Sequence, residues 1–362
     1  MNNMDYRSRL VALRRVLKKQ QCDALVIGQR SNLQYLCGFT GTAGMAVVLP
    51  DKAFFLTDFR YQAQAAQQVP PEYSVVIAQK GLWAEAAAVL KTQAQRIGIE
   101  AEHTSVATYE EICGLLAPAA VVSTRGLVET LRERKDDGEL AIMRRAIKIA
   151  DATFDHLCSF LRPGLVERDV ALEIEAHMKS LGASGTSFES IVASGARGAL
   201  PHGVASDKVL QAGEMVTIDM GARYHGYCSD MTRTVCLGKP TREQQKIYEI
   251  VWRAQTTAAA AMKPGLGCKA VDKIARDVIA EAGYGEFFGH GLGHGVGLQI
   301  HESPRLSVLG KGKLQVGQVV SCEPGIYIPD WGGVRIEDLV LITSDGSQLL
   351  SKARKPKKIL VL

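Results

Sequence analysis

The sequence predicts an α/β domain over residues 1–130, followed by an α+β domain over residues 131–362 that is built from an internal pseudo-two-fold duplication. Three observations predict this. The chain has 362 residues, more than one ordinary core organises, and such a length suggests about two domains. Its early part alternates helical and strand periodicities, the pattern of an α/β domain. Its later part repeats one helix-helix-strand-strand pattern twice.

Residues 5–20 place Leu10, Leu13 and Leu17 at helical spacing, and the apolar run Asp23-Ala-Leu-Val-Ile-Gly28 reads as a strand. Further strand-like runs follow at Met45–Leu49, Ala53–Thr57, Ser74–Ala78 and Arg96–Glu100, with helical patterns at 83–95 and 107–116. The stretch GFTGTAG at 38–44 reads as a loop. It lacks the lysine of a phosphate-binding loop and the full dinucleotide fingerprint, so it makes a poor phosphate cradle. Charges clustered from Arg132 to Glu139 mark the boundary, and a long helical pattern then runs from Glu139 to Leu161.

The duplication is legible residue by residue. The first copy reads Arg162-Pro-Gly-Leu165, then an amphipathic stretch closing at Leu181-Gly182; the second reads Lys263-Pro-Gly-Leu266, closing at Ala282-Gly283. In each, a helix ends at the Pro-Gly stop and a second helix follows. Two strand pairs come next. Asp219 lies six residues after Gly213, as Glu323 lies six after Gly317; Asp230 lies four after Gly226, as Glu337 lies four after Gly333. Packed about a pseudo-two-fold axis, the four acidic positions converge. Four solvated strand carboxylates would need the same acidic placement twice by chance.

Carboxylates pressed together cannot all stay ionised in a low dielectric. Two divalent cations would balance four negative charges. An oxygen-rich shell with one imidazole suits manganese, cobalt or iron better than the cysteine-rich sites of structural zinc. Two such ions about 3.5–4 Å apart can share a hydroxide and aim it at a carbonyl. The segment Phe288–Glu302 holds His290, His294 and His301, three of the eight histidines. No glutamate follows His290 and glycines surround it and His294, so the zincin helix is excluded. One histidine here serves as a ligand and another as a donor to substrate. His202, in Leu200-Pro-His-Gly203, sits in the opposite repeat; taken alone, a structural or surface histidine reads as well as a functional one.

Composition narrows the function classes. The hydrophobic share of 46% and charged share of 22% are those of a globular protein. No run of 18 apolar residues occurs, which argues against a spanning helix. The first thirty residues carry charges throughout without an apolar signal-peptide core. The eight cysteines are scattered with no CxxC pair, as reduced thiols of a cytoplasmic protein are. A net charge of +5 implies no nucleic-acid or membrane partner, and the basic run Lys352–Lys358, with no interleaved aromatics, reads as a solvated tail.

The motifs VTIDMG, GYCSDMTRT, GHGLGHGVGLQIHE, CEPGIYIP and GGVRIED, in this order, resemble the pita-bread metallopeptidases, and within them the aminopeptidase P and prolidase branch. The resemblance covers essentially the whole chain and implies a creatinase-like N-terminal domain before the catalytic one. It implies two divalent metal ions, manganese first, with cobalt, iron or zinc as alternatives. Asp219 and Asp230 would bind one ion, with Asp230 reaching to the other. His294 and Glu323 would bind the second, and Glu337 would bridge both. The resemblance also implies Glu323 as general base and His202 and His301 as groups holding the scissile carbonyl and stabilising its oxyanion. His290, Tyr327 and Arg335 match substrate-contacting positions.

The activity so implied is hydrolysis of the N-terminal Xaa-Pro bond of short peptides with proline second. Release of one residue from longer peptides and strict dipeptide cleavage both remain open; an arginine capturing the C-terminal carboxylate would favour dipeptides. The loop before His202 reads Ser194-Gly-Ala-Arg-Gly198 where many relatives carry proline and asparagine. This keeps open a broader aminopeptidase that releases methionine before small residues. Creatine hydrolysis on the same fold does without metals, and the five ligand positions argue against it. A non-enzymatic adaptor typically loses ligands, which this chain keeps. Relatives also imply a homodimer, with Tyr35–Gly44 as the loop reaching across.

Overall fold

The structure, a computed structural model, describes residues 4–362. It divides into two compact units, Met1–Arg132 and Glu133–Leu362. Among the described residues no helix is long and apolar enough to cross a membrane.

The first unit opens with α1 (Tyr6–Lys19), whose buried face carries Leu10, Leu13 and Leu17. It continues through β1 (Ala24–Ile27), α2 (Arg30–Cys37), β2 (Met45–Val48), β3 (Ala53–Thr57), α3 (Gln62–Gln68), β4 (Ser74–Ile77), α4 (Leu82–Leu90), β5 (Arg96–Glu100), α5 (Val106–Leu116), β6 (Ala120–Thr124) and α6 (Glu129–Arg132). The six strands form one mixed sheet in the order β4-β3-β2-β1-β5-β6. Every residue of β1 is buried, so its run is apolar throughout rather than alternating. The helical pattern at 83–95 ends early, at Leu90. Helix α2 escapes periodicity because it is only eight residues long. It stops at Gly38, whose φ of 72° is the left-handed conformation that ends helices.

The second unit shows the duplication in three dimensions. Helix α7 (Asp137–Phe160) starts at a reciprocal cap between Asp136 and Glu139, and α8 (Glu167–Ser180) follows the Pro-Gly stop. Strands β7 (Gly185–Thr186), β8 (Ile191–Ser194), β9 (Met215–Met220), β10 (Ala222–Tyr224), β11 (Tyr227–Cys228) and β12 (Met231–Cys236) complete the first half. The second half repeats it: α9 (Arg242–Ala261), capped by Thr241 and Gln244, then α10 (Cys268–Glu281). Strands β13 (Gly293–Gly295), β14 (Glu302–Leu306), β15 (Val319–Cys322), β16 (Gly325–Ile328), β17 (Gly332–Arg335), β18 (Asp338–Ile342), β19 (Ser347–Leu349) and β20 (Leu360–Val361) follow. Each half centres on an antiparallel pair, β9 with β12 and β15 with β18, inside the sheets β20-β12-β9-β8 and β14-β13-β15-β18-β19. Each half also packs its helices on its own core, around Phe154, Ile174 and Ile218 in one and Val251, Val271 and Val320 in the other.

Two expectations need correction. The returning strands do not run unbroken from Gly226 and Gly333 to the carboxylates. Each half first makes a small ribbon, β10 with β11 and β16 with β17, and Asp230 and Glu337 stand just before β12 and β18. The chain leaves the ribbon for the main sheet at those two residues, so both carboxylates occupy equivalent corners. The basic C-terminal run is not a solvated tail either. Trp252 Nε1 donates to the Lys355 carbonyl at 3.0 Å, Tyr248 to the Pro356 carbonyl at 3.1 Å, and β20 pairs in parallel with β12. The run looks solvated only because its anchors are backbone carbonyls, the buried Ala353 within it and the buried Ile359 just after it.

The short 3-10 segment Gly195–Ala199 lies against β17, where a Cβ added at Gly333 would meet the Gly198 carbonyl at 2.1 Å. Gly333→Ala is therefore expected to destabilise the protein by about 1–3 kcal/mol through overpacking. A lower urea midpoint at unchanged slope would show it.

Candidate metal centre

The axis between the two halves gathers carboxylates as the duplication requires. Oxygens of Asp219 in β9, Asp230 before β12 and Glu337 before β18 all lie within 4.8 Å of one another. Asp219 Oδ2 accepts from Arg335 Nη2 at 2.7 Å and Glu337 Oε2 from Thr232 Oγ1 at 2.7 Å. The other oxygens, Asp219 Oδ1 and Glu337 Oε1, are buried with no hydrogen-bond partner. Buried, unpaired carboxylate oxygens are costly unless a cation answers them. Burial first, then mutual repulsion, pushes the Asp230 and Glu337 carboxyls well above the ordinary range. Burial also raises Asp219, against the pull of Arg335.

His294, in β13, and Glu323, just after β15, complete the donor set. The His294 Nδ1 lies 3.0 Å from the Gly295 carbonyl. A carbonyl only accepts, so Nδ1 carries the proton and Nε2 presents a lone pair. That lone pair sits 3.3 Å from Glu323 Oε1 and 3.7 Å from Asp230 Oδ2. Acceptors facing one another require a cation between them. Without a metal ion a proton takes this role: burial disfavours the imidazolium, but the Glu323 carboxylate outweighs it and raises His294. Ser321 Oγ donates to Glu323 Oε1 and accepts from the His294 backbone N–H, both at 3.0 Å, so one hydroxyl aligns both residues. Five donors, four carboxylates and one neutral imidazole, fit a pair of hard-to-borderline divalent ions.

Behind this set runs a chain of hydrogen bonds. Arg335, buried, holds Asp219 through Nη2 and donates through Nη1 to the Tyr327 hydroxyl at 2.9 Å and the Pro201 carbonyl at 3.1 Å. Tyr327 in turn lies 2.8 Å from His290 Nε2, whose Nδ1 is 2.8 Å from the Gly291 carbonyl. His290 is thus the acceptor from the tyrosine, in keeping with burial lowering its pKa. Helix α10 pins the same loop: Arg276 is bound by Asp272 and donates to the Phe288 and His290 carbonyls at 2.7 and 2.8 Å. Tyr327 and Arg335, expected to touch substrate, spend these polar groups on one another, on Asp219 and on His290.

A cavity of about 610 Å³ opens over the donor set. His202 and His301, both exposed, stand on its wall. The His301 ring packs nearly perpendicular to that of His294, 4.5 Å away, and partial desolvation of the ring, then His294, lowers its pKa. His290 and Arg335, two of the expected substrate-contacting residues, also line the cavity, and the wall is apolar at Phe188, Ile191, Val204 and Ile300 and charged at Glu189 and Arg305. Arg197 is not on it: its guanidinium bonds to Glu167 and to the Val204 carbonyl, bracing the loop that carries His202. Sequence reasoning missed Thr232, Ser321 and Arg305. The first lies inside a quoted motif, and the others carried no periodic or spacing signal.

Residues 141–344 match the family described as Metallopeptidase family M24, and residues 9–134 the Creatinase/Prolidase N-terminal domain. The chain is 44% identical over 354 residues to an uncharacterized peptidase of Bacillus subtilis, covering 98% of this chain and all of that one. It is 39% identical over 342 residues to the Xaa-Pro dipeptidase of Pyrococcus horikoshii, covering 94% and 95%. The solved structure of an Xaa-Pro dipeptidase from Bacillus anthracis superposes with a TM-score of 0.95 at 42% identity, covering 99% and 100%.

Carboxyls raised in the folded state contribute stability that is full below their unfolded pKa and is lost as pH rises through the folded value. For Asp230 and Glu337 that loss begins above the ordinary values of 3.8 and 4.5. In a chelator the melting temperature is therefore expected to fall as pH rises from the carboxylate range toward neutrality. Added manganese should abolish the fall, and calorimetry under both conditions checks it.

Proposed function

The chain belongs to metallopeptidase family M24, and from that premise we propose that it hydrolyses the Xaa-Pro bond of dipeptides with two divalent metal ions. Asp219 and Asp230 would hold one ion and His294 and Glu323 the other, with Glu337 and Asp230 placed to serve both. Manganese is the first candidate on donor hardness, with cobalt, iron and zinc as alternatives. When bound, the ions supply Lewis acidity and make water a nucleophile at neutral pH.

This chain's residues do the rest. Glu323 takes the proton of the attacking water and delivers it to the proline nitrogen. His202 and His301 on the cavity wall donate to the carbonyl oxygen and to the oxyanion it becomes. Partial desolvation of its ring against the cavity wall, together with His294, shifts His301 toward its neutral form, which retains one N–H for that bond. Arg335, Tyr327 and His290 hold Asp219 in its orientation. Eight free cysteines support a reducing, cytoplasmic setting.

Arg305 carries the choice of dipeptides. It lines the cavity, is exposed, and has no ion-pair partner among the described residues. A guanidinium so placed suits a terminal carboxylate. In a dipeptide that charge lies one residue past the scissile bond, whereas longer peptides carry it further away.

Protein stripped of metal and reloaded with manganese is expected to cleave Ala-Pro and Met-Pro, and neither Met-Ala nor Ala-Pro-Ala. Arg305→Met should raise KM for Ala-Pro about tenfold or more, the scale of a lost charge-assisted bond, and narrow the preference over Ala-Pro amide. Equal cleavage of Ala-Pro-Ala by the wild type would make it an aminopeptidase. Cleavage of Met-Ala would make it a broader enzyme, and silence on all four would return the adaptor reading.

A further inference from the structure

Asp338, the residue after Glu337, is fully buried in a network that none of the chemistry above uses. Its Oδ1 accepts from Arg233 Nη2 at 2.8 Å, and its Oδ2 accepts from Gln255 Nε2 at 2.9 Å and from the Lys355 ammonium. Arg233, itself buried, does more than pair with this carboxylate. Its Nη1 donates to the Glu337 carbonyl and, at 2.9 Å, to the Thr232 carbonyl, while Nη2 also reaches the Ala353 carbonyl at 3.0 Å. Its neighbour Thr232 holds the Glu337 carboxylate through its hydroxyl and receives the Glu337 backbone N–H at 3.0 Å. Two consecutive residues of β12 thus fix the carboxylate, the N–H and the carbonyl of Glu337. The fixing arginine is aimed from behind by Asp338 and by the C-terminal segment.

A network meant only to fill the core would not need this arrangement. An apolar cluster of the same volume would be at least as stabilising as a buried ion pair. What a buried guanidinium adds is direction, since its planar fork fixes several acceptors at set angles. The acceptor it reaches next to the carboxylate cluster is the backbone of Glu337, a residue with one buried oxygen unpartnered.

We propose that Arg233, held by Asp338 and by the Ala353 carbonyl of the C-terminal segment, with Lys355 pairing Asp338 from its other side, is a positioning residue for Glu337 and through it for the metal centre. This rests on the reading of Glu337 as a metal ligand. Arg233→Lys keeps the charge but loses the fork. The pair Asp338→Leu with Lys355→Met removes one charge of each sign and leaves Arg233 without its side-chain anchor. Lys358→Met, in the exposed part of the same basic run, is the control.

The readouts are manganese affinity by titration calorimetry, the visible spectrum of the cobalt-loaded protein, and the melting temperature of the metal-free protein. Arg233→Lys and the charge-balanced pair are each expected to weaken manganese binding about tenfold or more, the scale of losing a group that orients a ligand, and to alter the cobalt spectrum. Lys358→Met should change neither. A lower metal-free melting temperature with wild-type affinity and spectrum would overturn the proposal, because the network would then only stabilise the fold. If Arg233→Lys does not fold, the charge-balanced pair decides by the same criteria. Wild-type protein that binds no manganese would instead sink the reading of Glu337 as a ligand.

Discussion

Carboxylates crowded into a buried space repel one another, and the second unit is arranged around answering that repulsion. Asp219, Asp230 and Glu337 bring oxygens within 4.8 Å in a region where two of those oxygens have no hydrogen-bond partner. A fold does not keep such an arrangement for its own stability, since each uncompensated charge costs several kcal/mol of desolvation, in rough terms. The neighbouring groups are placed so that a cation fits: His294 offers a lone pair, and Thr232, Ser321 and Arg335 each hold one carboxylate at a definite angle.

The duplication explains how one chain assembles such a centre. Each half contributes an acidic residue from or next to its leading strand and another at the corner before its returning strand. The halves are stitched across the axis by hydrogen bonds from Thr232 and Thr234 to Glu337 and Arg335. Thr232, one of the threonines that join the halves, therefore also orients the Glu337 carboxylate. The symmetry is broken where chemistry needs it: His294 and His301 come from the second half, and His202 from the first.

Around the five donors the supports extend in two directions. On one side the series Arg335, Tyr327, His290 ends in the Arg276–Asp272 pair of α10. On the other, Arg233 and Asp338 lead to the C-terminal segment. These supports are read from the contacts of this chain alone.

The α/β character of the first unit, the duplicated second unit and the meeting of acidic residues from its two halves were legible in the sequence, because periodicity and fixed spacing survive in a linear string. Its motifs, through their order, also named the five candidate ligand positions and the candidate histidines. It could not show that Tyr327 and Arg335 face one another, that Asp230 and Glu337 stand at corners, or that Lys355 turns inward to a buried aspartate. Nor could it place Arg305 on the cavity wall. Those facts depend on contacts between residues up to more than a hundred positions apart, such as Arg335 with Asp219. Side-chain direction in that case is set by tertiary packing, which leaves no local periodicity to read.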